Sequence, residues 1–344
     1  MLLKNISTRF LITTILILYS ILALASYYIF GINVVLDSAR YLDYAENISQ
    51  GFYLDPHNTW YLGYVLFISC IKLLTENLSV IILAQYIVGG IAVFYLFQAA
   101  LELSESKIAA FGAALYYILF LEPITWHSYI LAESLLGSFI CISLYIVIKT
   151  LRNQSAVCYS ILIPILLFTA SIKPTAIGIA FSLVTFLSVK FLQKISTVKI
   201  ILGVLTVITL FILLEKSLTT FTILENDYLQ GEIIYRFDRI NNSTYQHWFI
   251  IDVPDEIYFP DAELPKLLQI ALFIFHNPIY WLKLFSLKIF YLLLHARPYW
   301  SIPHIIHSVV FMMVGLGSFI YALARSKFSL NLSIILIAFF GFQL

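Results

Sequence analysis

Apolar residues run for near-membrane length nine times along this chain, at about residues 10–30, 79–100, 107–123, 129–149, 157–173, 175–191, 198–214, 305–324 and 328–344. A helix rising ~1.5 Å per residue needs about 20 such residues to cross a hydrocarbon core ~30 Å thick. The runs are continuous rather than alternating, so they predict helices and not the short dyad-patterned strands of a membrane barrel. The expected fold is an all-α integral membrane protein, a polytopic bundle of about nine spans. Ala23-Leu24-Ala25 also resembles a signal-peptide cleavage site, but the first run continues past it to Phe30, which favours a span over a short signal core.

Two further apolar stretches, 61–75 and 279–295, are read as amphipathic helices lying in the outer interface. With the N-terminus inside, that choice puts Lys107, Lys149, Arg152, Lys190, Lys194, Lys199, Arg325 and Lys327 all on the cytoplasmic side, as the distribution of basic residues in membrane proteins requires. If only 279–295 crossed, Arg325 and Lys327 would move outside, and Lys283 and Lys288 would enter the bilayer at roughly 2.5–3.5 kcal/mol each. The result is one membrane domain over 1–344 with two outer loops, 31–78 and 215–304. Ten acidic residues lie between Glu215 and Glu263 against three basic ones, which fits a translocated loop. The chain stops at Leu344 inside an apolar run, so either the last helix ends at the outer interface or a longer protein continues beyond it.

Composition narrows the chemistry. Hydrophobic residues make up 61% of the 344 and charged ones 11%, against roughly 25% charged in soluble domains. A net charge of +1 gives no general attraction to nucleic acid. Cys70, Cys141 and Cys158 sit in or beside apolar runs without ligand-like spacing, and read as small buried hydrophobes rather than a disulfide or metal set.

Polar chemistry concentrates where the outer side is expected. In "NVVLDSARYLDYAENISQGFY", residues 33–53, a helical wheel puts Tyr41, Leu42, Tyr44, Ala45 and Ile48 on one arc and Arg40, Asp43, Glu46, Asn47 and Gln50 on the other. Asp37 falls on the apolar side at the helix start, either as an N-cap or as a group aimed at a substrate. Glu133 lies a few residues below the outer end of a span, where a carboxylate is a functional candidate or an acid stabilised by the helix dipole. Lys173 stands in a tight outer turn before Pro174, as a snorkelling end residue or a ligand for an anion. Glu122, His127, Lys283, Lys288, Arg297, His304 and the loop residues Arg236, Asp238 and Arg239 share that side.

Four stretches in order resemble the membrane-embedded GT-C glycosyltransferases, such as protein O-mannosyltransferases and lipid A aminoarabinose transferases. "LDSARY" resembles the Asp-Glu-x-x-Tyr opening of that family's first outer loop, and "LAESLLGSFICISLYIVI" its Ser/Thr-Glu span. "SIKPTAIGIAF" is similar to its basic-Pro turn, and "HNPIYWLKLF" to the Asn-Pro start of its late interfacial helix. Ser38 stands where the family has a second acid, and the family's late Arg-Tyr segment is absent.

The resemblance implies a GT-C-like fold and transfer of a sugar from a polyprenyl-phosphate donor to a glycan, lipid or protein acceptor; no cofactor and no metal ligand is assigned. It implies a bacterial cell (inner) membrane, with the site facing outside or the periplasm. Catalytic roles then fall to Asp37 and Glu133, phosphate binding to Lys173 and Arg297, and substrate contacts to Arg40, Tyr41, Tyr44, Glu122, His127 and Lys283. The rival readings are a transporter or assembly partner for lipid-linked sugars, or an inactive relative that only binds lipid phosphate. A transporter predicts ionisable groups near the midplane of several spans, whereas here they gather at the outer interface.

Overall fold

The computed structural model describes residues 6–153, 155–176, 204, 208, 211, 212, 214–220, 228–234, 249–297 and 300–325. Its named elements are all helical. They are α1 (Thr8–Phe30), α2 (Leu36–Gln50), α3 (Leu62–Lys72), α4 (Leu78–Ser104), α5 (Lys107–Leu119), α6 (Glu122–Trp126), α7 (Ala132–Asn153), α8 (Ala156–Ile172), α9 (Lys266–His276), α10 (Pro278–Leu294) and α11 (Ile302–Arg325), with 3-10 turns at Asn58–Tyr61 and Pro174–Ala176.

Among the described residues, four helices are long and apolar enough to cross a membrane: Thr8–Phe30, Leu78–Ser104, Ala132–Thr150 and Ile302–Tyr321. A fifth arises if α9 and α10, bent by 109° at Asn277, count as one broken span. The runs at 107–123 and 157–173 give the shorter helices α5 and α8, and those at 175–191, 198–214 and 328–344 fall wholly or largely outside the described residues.

The chain divides into two compact units with the boundary at Leu183 and Val184. In the first, α1, α4, α5, α7 and α8 alternate in direction. Four of these helices start at side-chain caps: Ser7, Asn77, Ser106 and Ser155 accept backbone N–H bonds from Phe10, Ser79, Ala109 and Cys158. Helix α1 buries Leu11, Ile15, Tyr19, Ala23 and Ser26 and exposes Phe10, Ile17, Ile21, Leu24 and Tyr28. An apolar face left uncovered along its whole length is what lipid contact requires. At one end of this unit Glu102 pairs with Lys149 at 3.5 Å and Arg152 at 2.8 Å. The opposite end holds α2, α3 and the start of α7.

Helix α3 has 11 residues and is therefore about 16 Å long, too short to span. It instead covers the apolar arc of α2. Tyr41, Tyr44 and Ala45 are buried, the Ser69 hydroxyl donates to the Ala45 carbonyl at 3.0 Å, and Lys72 pairs with Glu46 at 2.9 Å. The wheel assigns the buried arc correctly, but protein rather than lipid covers it. On its other side α3 meets α8 at Gly63, where an added Cβ would lie 2.5 Å from Ser171 Oγ and 3.0 Å from the Ile172 nitrogen. Any side chain there pushes α3 away from the end of α8 that carries Lys173.

The apolar run after Lys107 breaks earlier than expected. Helix α5 stops at Leu119, Leu121 takes φ 62°, and Glu122-Pro123 opens the one-turn helix α6. Pro123 has no N–H to give the Leu119 carbonyl and its ring would clash there, so α5 cannot run on through it, whereas the first turn of a new helix accepts it. Among the cysteines, which show no disulfide, Cys141 is buried as expected, whereas Cys70 is exposed on α3.

The second unit's described part packs Ile233, Ile234, Phe249, Ile251, Phe273, Tyr280 and Leu284 into a core over the α9–α10 bend. Glu215 accepts the backbone N–H groups of Lys266 and Leu267, placing a carboxylate on the start of α9. At the bend, Asn277 Oδ1 accepts from Tyr258 N at 3.0 Å while its Nδ2 donates to Tyr258 O at 2.8 Å. The side-chain amide thus pairs with the loop backbone as a neighbouring strand would. Helix α9 is not among the elements expected from the sequence, although Leu267, Ile270, Phe273 and Ile274 after Pro265 carry a helical period.

Candidate functional site

Helix α2 starts at Leu36 after an extended Val35, so Asp37 lies in the first turn and is not the N-cap. Ser38 does the capping work, its hydroxyl accepting from the Val35 nitrogen at 3.0 Å, and it is fully buried. The serine that replaces the resembled family's second acid therefore has a structural use here. Asp37 is left free to face outward, its side chain 62% exposed, with Oδ1 3.4 Å from Arg40 Nη2 one turn later.

Arg40 is held by rings. Its guanidinium carbon lies 4.9 Å from the centroid of Tyr41 and 4.9 Å from that of Tyr61, and the two rings are 5.1 Å apart with planes tilted by 46°. A cation set in such a V of aromatic faces gains about 0.5–1 kcal/mol per ring when partly exposed. Asp55 begins the turn that brings Tyr61 in, its carboxylate accepting from the His57 and Asn58 nitrogens. One guanidinium nitrogen, Nη1, is buried without a hydrogen-bond partner. Arg40 thus retains an unused donor beside Asp37.

Lys173 reaches the same end from α8. The residue before proline is driven to extended backbone, and Lys173 has φ −156° and ψ 148°, with its carbonyl accepting from Ala176 N across the Pro174 turn. Its Nζ lies 2.6 Å from Glu133 Oε1 in the first turn of α7, with the two side chains 24% and 33% exposed. Burial alone would lower the Lys173 pKa, but the Glu133 carboxylate outweighs it and holds the ammonium above its usual range.

The two ion pairs belong to one cluster. Burial pushes the Tyr41 and Tyr61 phenols up; Glu133 and Asp37 reinforce the shift at Tyr41, and the Lys173 and Arg40 charges oppose it at Tyr61. Tyr64, fully buried, stands edge-on to Tyr41 at 5.3 Å.

The remaining sequence candidates divide. Tyr44 is buried with its hydroxyl donating to the Tyr53 carbonyl at 2.6 Å, so it pins the 51–55 loop. Glu122 is buried and accepts from Trp126 Nε1 at 3.2 Å. His127 is 1% exposed, with Nδ1 2.6 Å from Ser134 Oγ, and burial pushes its ring well below the usual imidazole range. It connects to the cluster through Gln85, which donates to the His127 carbonyl and accepts from the Tyr64 hydroxyl at 2.7 Å.

In the second unit Lys283 is exposed on α10. Arg297 is partly buried just beyond it, its carbonyl accepting from Trp300 N at 3.2 Å. Arg236, Asp238 and Arg239 lie outside the described residues.

Tyr61 and Tyr64 escape the sequence reasoning. The available signal is the i, i+3 tyrosine pair at the start of a stretch read as an interfacial helix, matching Tyr41 and Tyr44 in α2. Compared with known proteins, the chain finds no counterpart: no family model, no curated protein and no solved structure matches it.

Proposed function

We propose that this chain is an inverting, polyprenyl-phosphate-dependent glycosyltransferase of GT-C type, with its site on the outer face of a bacterial cell membrane. The observation that carries the reading is the convergence of the Asp37–Arg40 and Glu133–Lys173 pairs on one tyrosine-lined end of the first unit. A lipid-phosphate donor presents its reactive sugar carbon at headgroup depth. The acceptor oxygen or nitrogen attacks that carbon and its proton passes to Asp37; the carbon–oxygen bond to phosphate breaks, and its electrons leave with the lipid phosphate. Lys173 offsets the charge arriving on that phosphate. Tyr41 and Tyr61 supply flat apolar faces of the kind on which sugar rings rest.

One observation favours a second reading. Both acids already touch cations, which also suits a relative that binds lipid phosphate without transferring sugar. Mass spectrometry of surface glycans from cells with and without the gene decides between them: transfer predicts loss of one defined sugar, and an unchanged glycan profile would overturn it.

The orientation has its own test. With Cys70, Cys141 and Cys158 replaced, a cysteine at exposed Glu76 should react from outside with an impermeant thiol reagent, and one at exposed Ser155 should not. The opposite labelling would invert the topology.

A further inference from the structure

We propose that Glu133 is the built-in occupant of the anion site on Lys173, displaced when the donor phosphate binds, and that the displaced carboxylate takes up a proton from solvent. This rests on the reading of Lys173 as the donor-phosphate group and adds how that site is opened.

The geometry separates a fixed partner from a movable one. Lys173 is anchored by extended backbone between the end of α8 and the Pro174 turn, and α8 is in turn fixed by its close approach to α3 at Gly63. Glu133 sits in the first turn of α7 with a third of its side chain exposed, so its carboxylate has water to move into. The salt bridge, at 2.6 Å, leaves no room for a phosphate oxygen on that side of the ammonium. A phosphate oxygen that takes that side of the ammonium therefore replaces the carboxylate.

Charge balance then calls for the proton. Asp37, Arg40, Glu133 and Lys173 sum to zero, and a phosphodiester brings one negative charge into a half-buried setting walled by Tyr41, Tyr61 and Tyr64. Asp37 keeps Arg40 beside it and its side chain is 62% exposed, so the exchange at Lys173 leaves its partner and its water in place. Glu133 gives up the ammonium that balanced it. Among the described residues, Tyr41 from α2, Tyr64 from α3 and Lys173 from α8 interact with the Glu133 charge; Tyr61 and Asp37 act on Lys173, Arg40 lies against the Tyr41 and Tyr61 rings, and neutral His127 bonds the adjacent Ser134. Among the described residues Glu133 has no ion pair besides the one with Lys173, which the phosphate takes over. A carboxylate beside a bound anion and apolar rings is better neutral. Uptake at Glu133 makes binding stronger as pH falls, with a limiting slope of about tenfold per pH unit above the carboxyl's pKa in the complex.

The test is calorimetry on the purified full chain with a short isoprenyl phosphodiester, whose charge does not titrate near neutrality. Buffers of different ionisation enthalpy report the protons exchanged. The wild type should take up a proton on binding. Glu133→Gln, with no charge to displace, should bind about fivefold to tenfold tighter at neutral pH and take up none. If Glu133→Gln fails to fold, Glu133→Asp, one methylene shorter, carries the test by binding tighter than wild type with uptake retained. Unchanged affinity in the variant and no uptake by the wild type would overturn the exchange while leaving Lys173 as the phosphate group. Tighter binding without wild-type uptake would overturn the proton alone. No binding by wild type or variant would overturn the phosphate reading and the exchange together.

Discussion

Asp37→Asn should lower kcat and kcat/KM together, by about a hundredfold to ten-thousandfold, with the protein still inserted and folded. The magnitude is that of a positioned general base removed from a proton transfer. The joint fall follows because the interaction removed is made mainly as the acceptor attacks, so ground-state binding is little changed. Stability should hold for a reason that differs from the one the sequence suggests. Asp37 does not cap α2; Ser38 does, and Ser38 is untouched by the substitution. The substitution removes a 3.4 Å ion pair whose acid side chain is 62% exposed, worth about 0.2–1 kcal/mol, and a first-turn dipole interaction of about 0.3–1 kcal/mol. Asparagine at this position also keeps an oxygen facing Arg40. Steady-state transfer by purified, normally inserted Asp37→Asn protein settles the matter. Wild-type rates would reduce Asp37 to a surface acid at the start of an interfacial helix.

Periodicity makes the long elements legible, because burial repeats on the same spacing as the helix. Leu11, Ile15, Tyr19 and Ala23 on α1 and Tyr41, Tyr44 and Ala45 on α2 fall inside as the pattern requires. What periodicity cannot carry is the identity of the covering surface. The apolar arc of α2 suits lipid equally well, yet α3 covers it, because Ser69 and Lys72 each bind across to α2. Nor does it carry chain-distant pairing. Glu133 and Lys173 each stand out in the sequence for their depth, but their contact spans 40 residues and joins the start of α7 to the end of α8.

Local rules succeed where backbone chemistry is strong and fail where two residues compete for one role. Pro174 drives Lys173 to extended backbone. At the start of α2 both Asp37 and Ser38 suit a helix beginning, and only the geometry shows which one caps it. The Asn277-Pro278 pair stands out in the sequence by its resemblance alone. In the fold, Asn277 matches its side-chain amide to the backbone of Tyr258, a bond that no spacing rule exposes.

Lys173→Ala should raise the donor KM by roughly tenfold to a hundredfold and lower kcat by less, because a phosphate contact of about 1.5–3 kcal/mol is removed from ground and transition states alike. The ion pair with Glu133 sharpens this expectation. Removing the lysine leaves a carboxylate, one-third exposed, at the place the phosphate must enter, so repulsion adds to the missing attraction. The fold itself should lose about 1 kcal/mol or less, since both partners of the pair reach solvent.

The double variant Glu133→Gln with Lys173→Ala isolates the coupling. Independent roles predict that the two effects on KM add. An occupied anion site predicts instead that the gain from the glutamine differs between the Lys173 and Lys173→Ala backgrounds, because in the second there is no ion pair to break, with a coupling of about 0.5–3 kcal/mol. Donor-dependent kinetics of the four proteins, each checked for helical content and elution volume, supply the cycle. An unchanged donor KM in Lys173→Ala would remove Lys173 from phosphate binding and leave it as the counter-ion that lets a carboxylate sit at the start of α7.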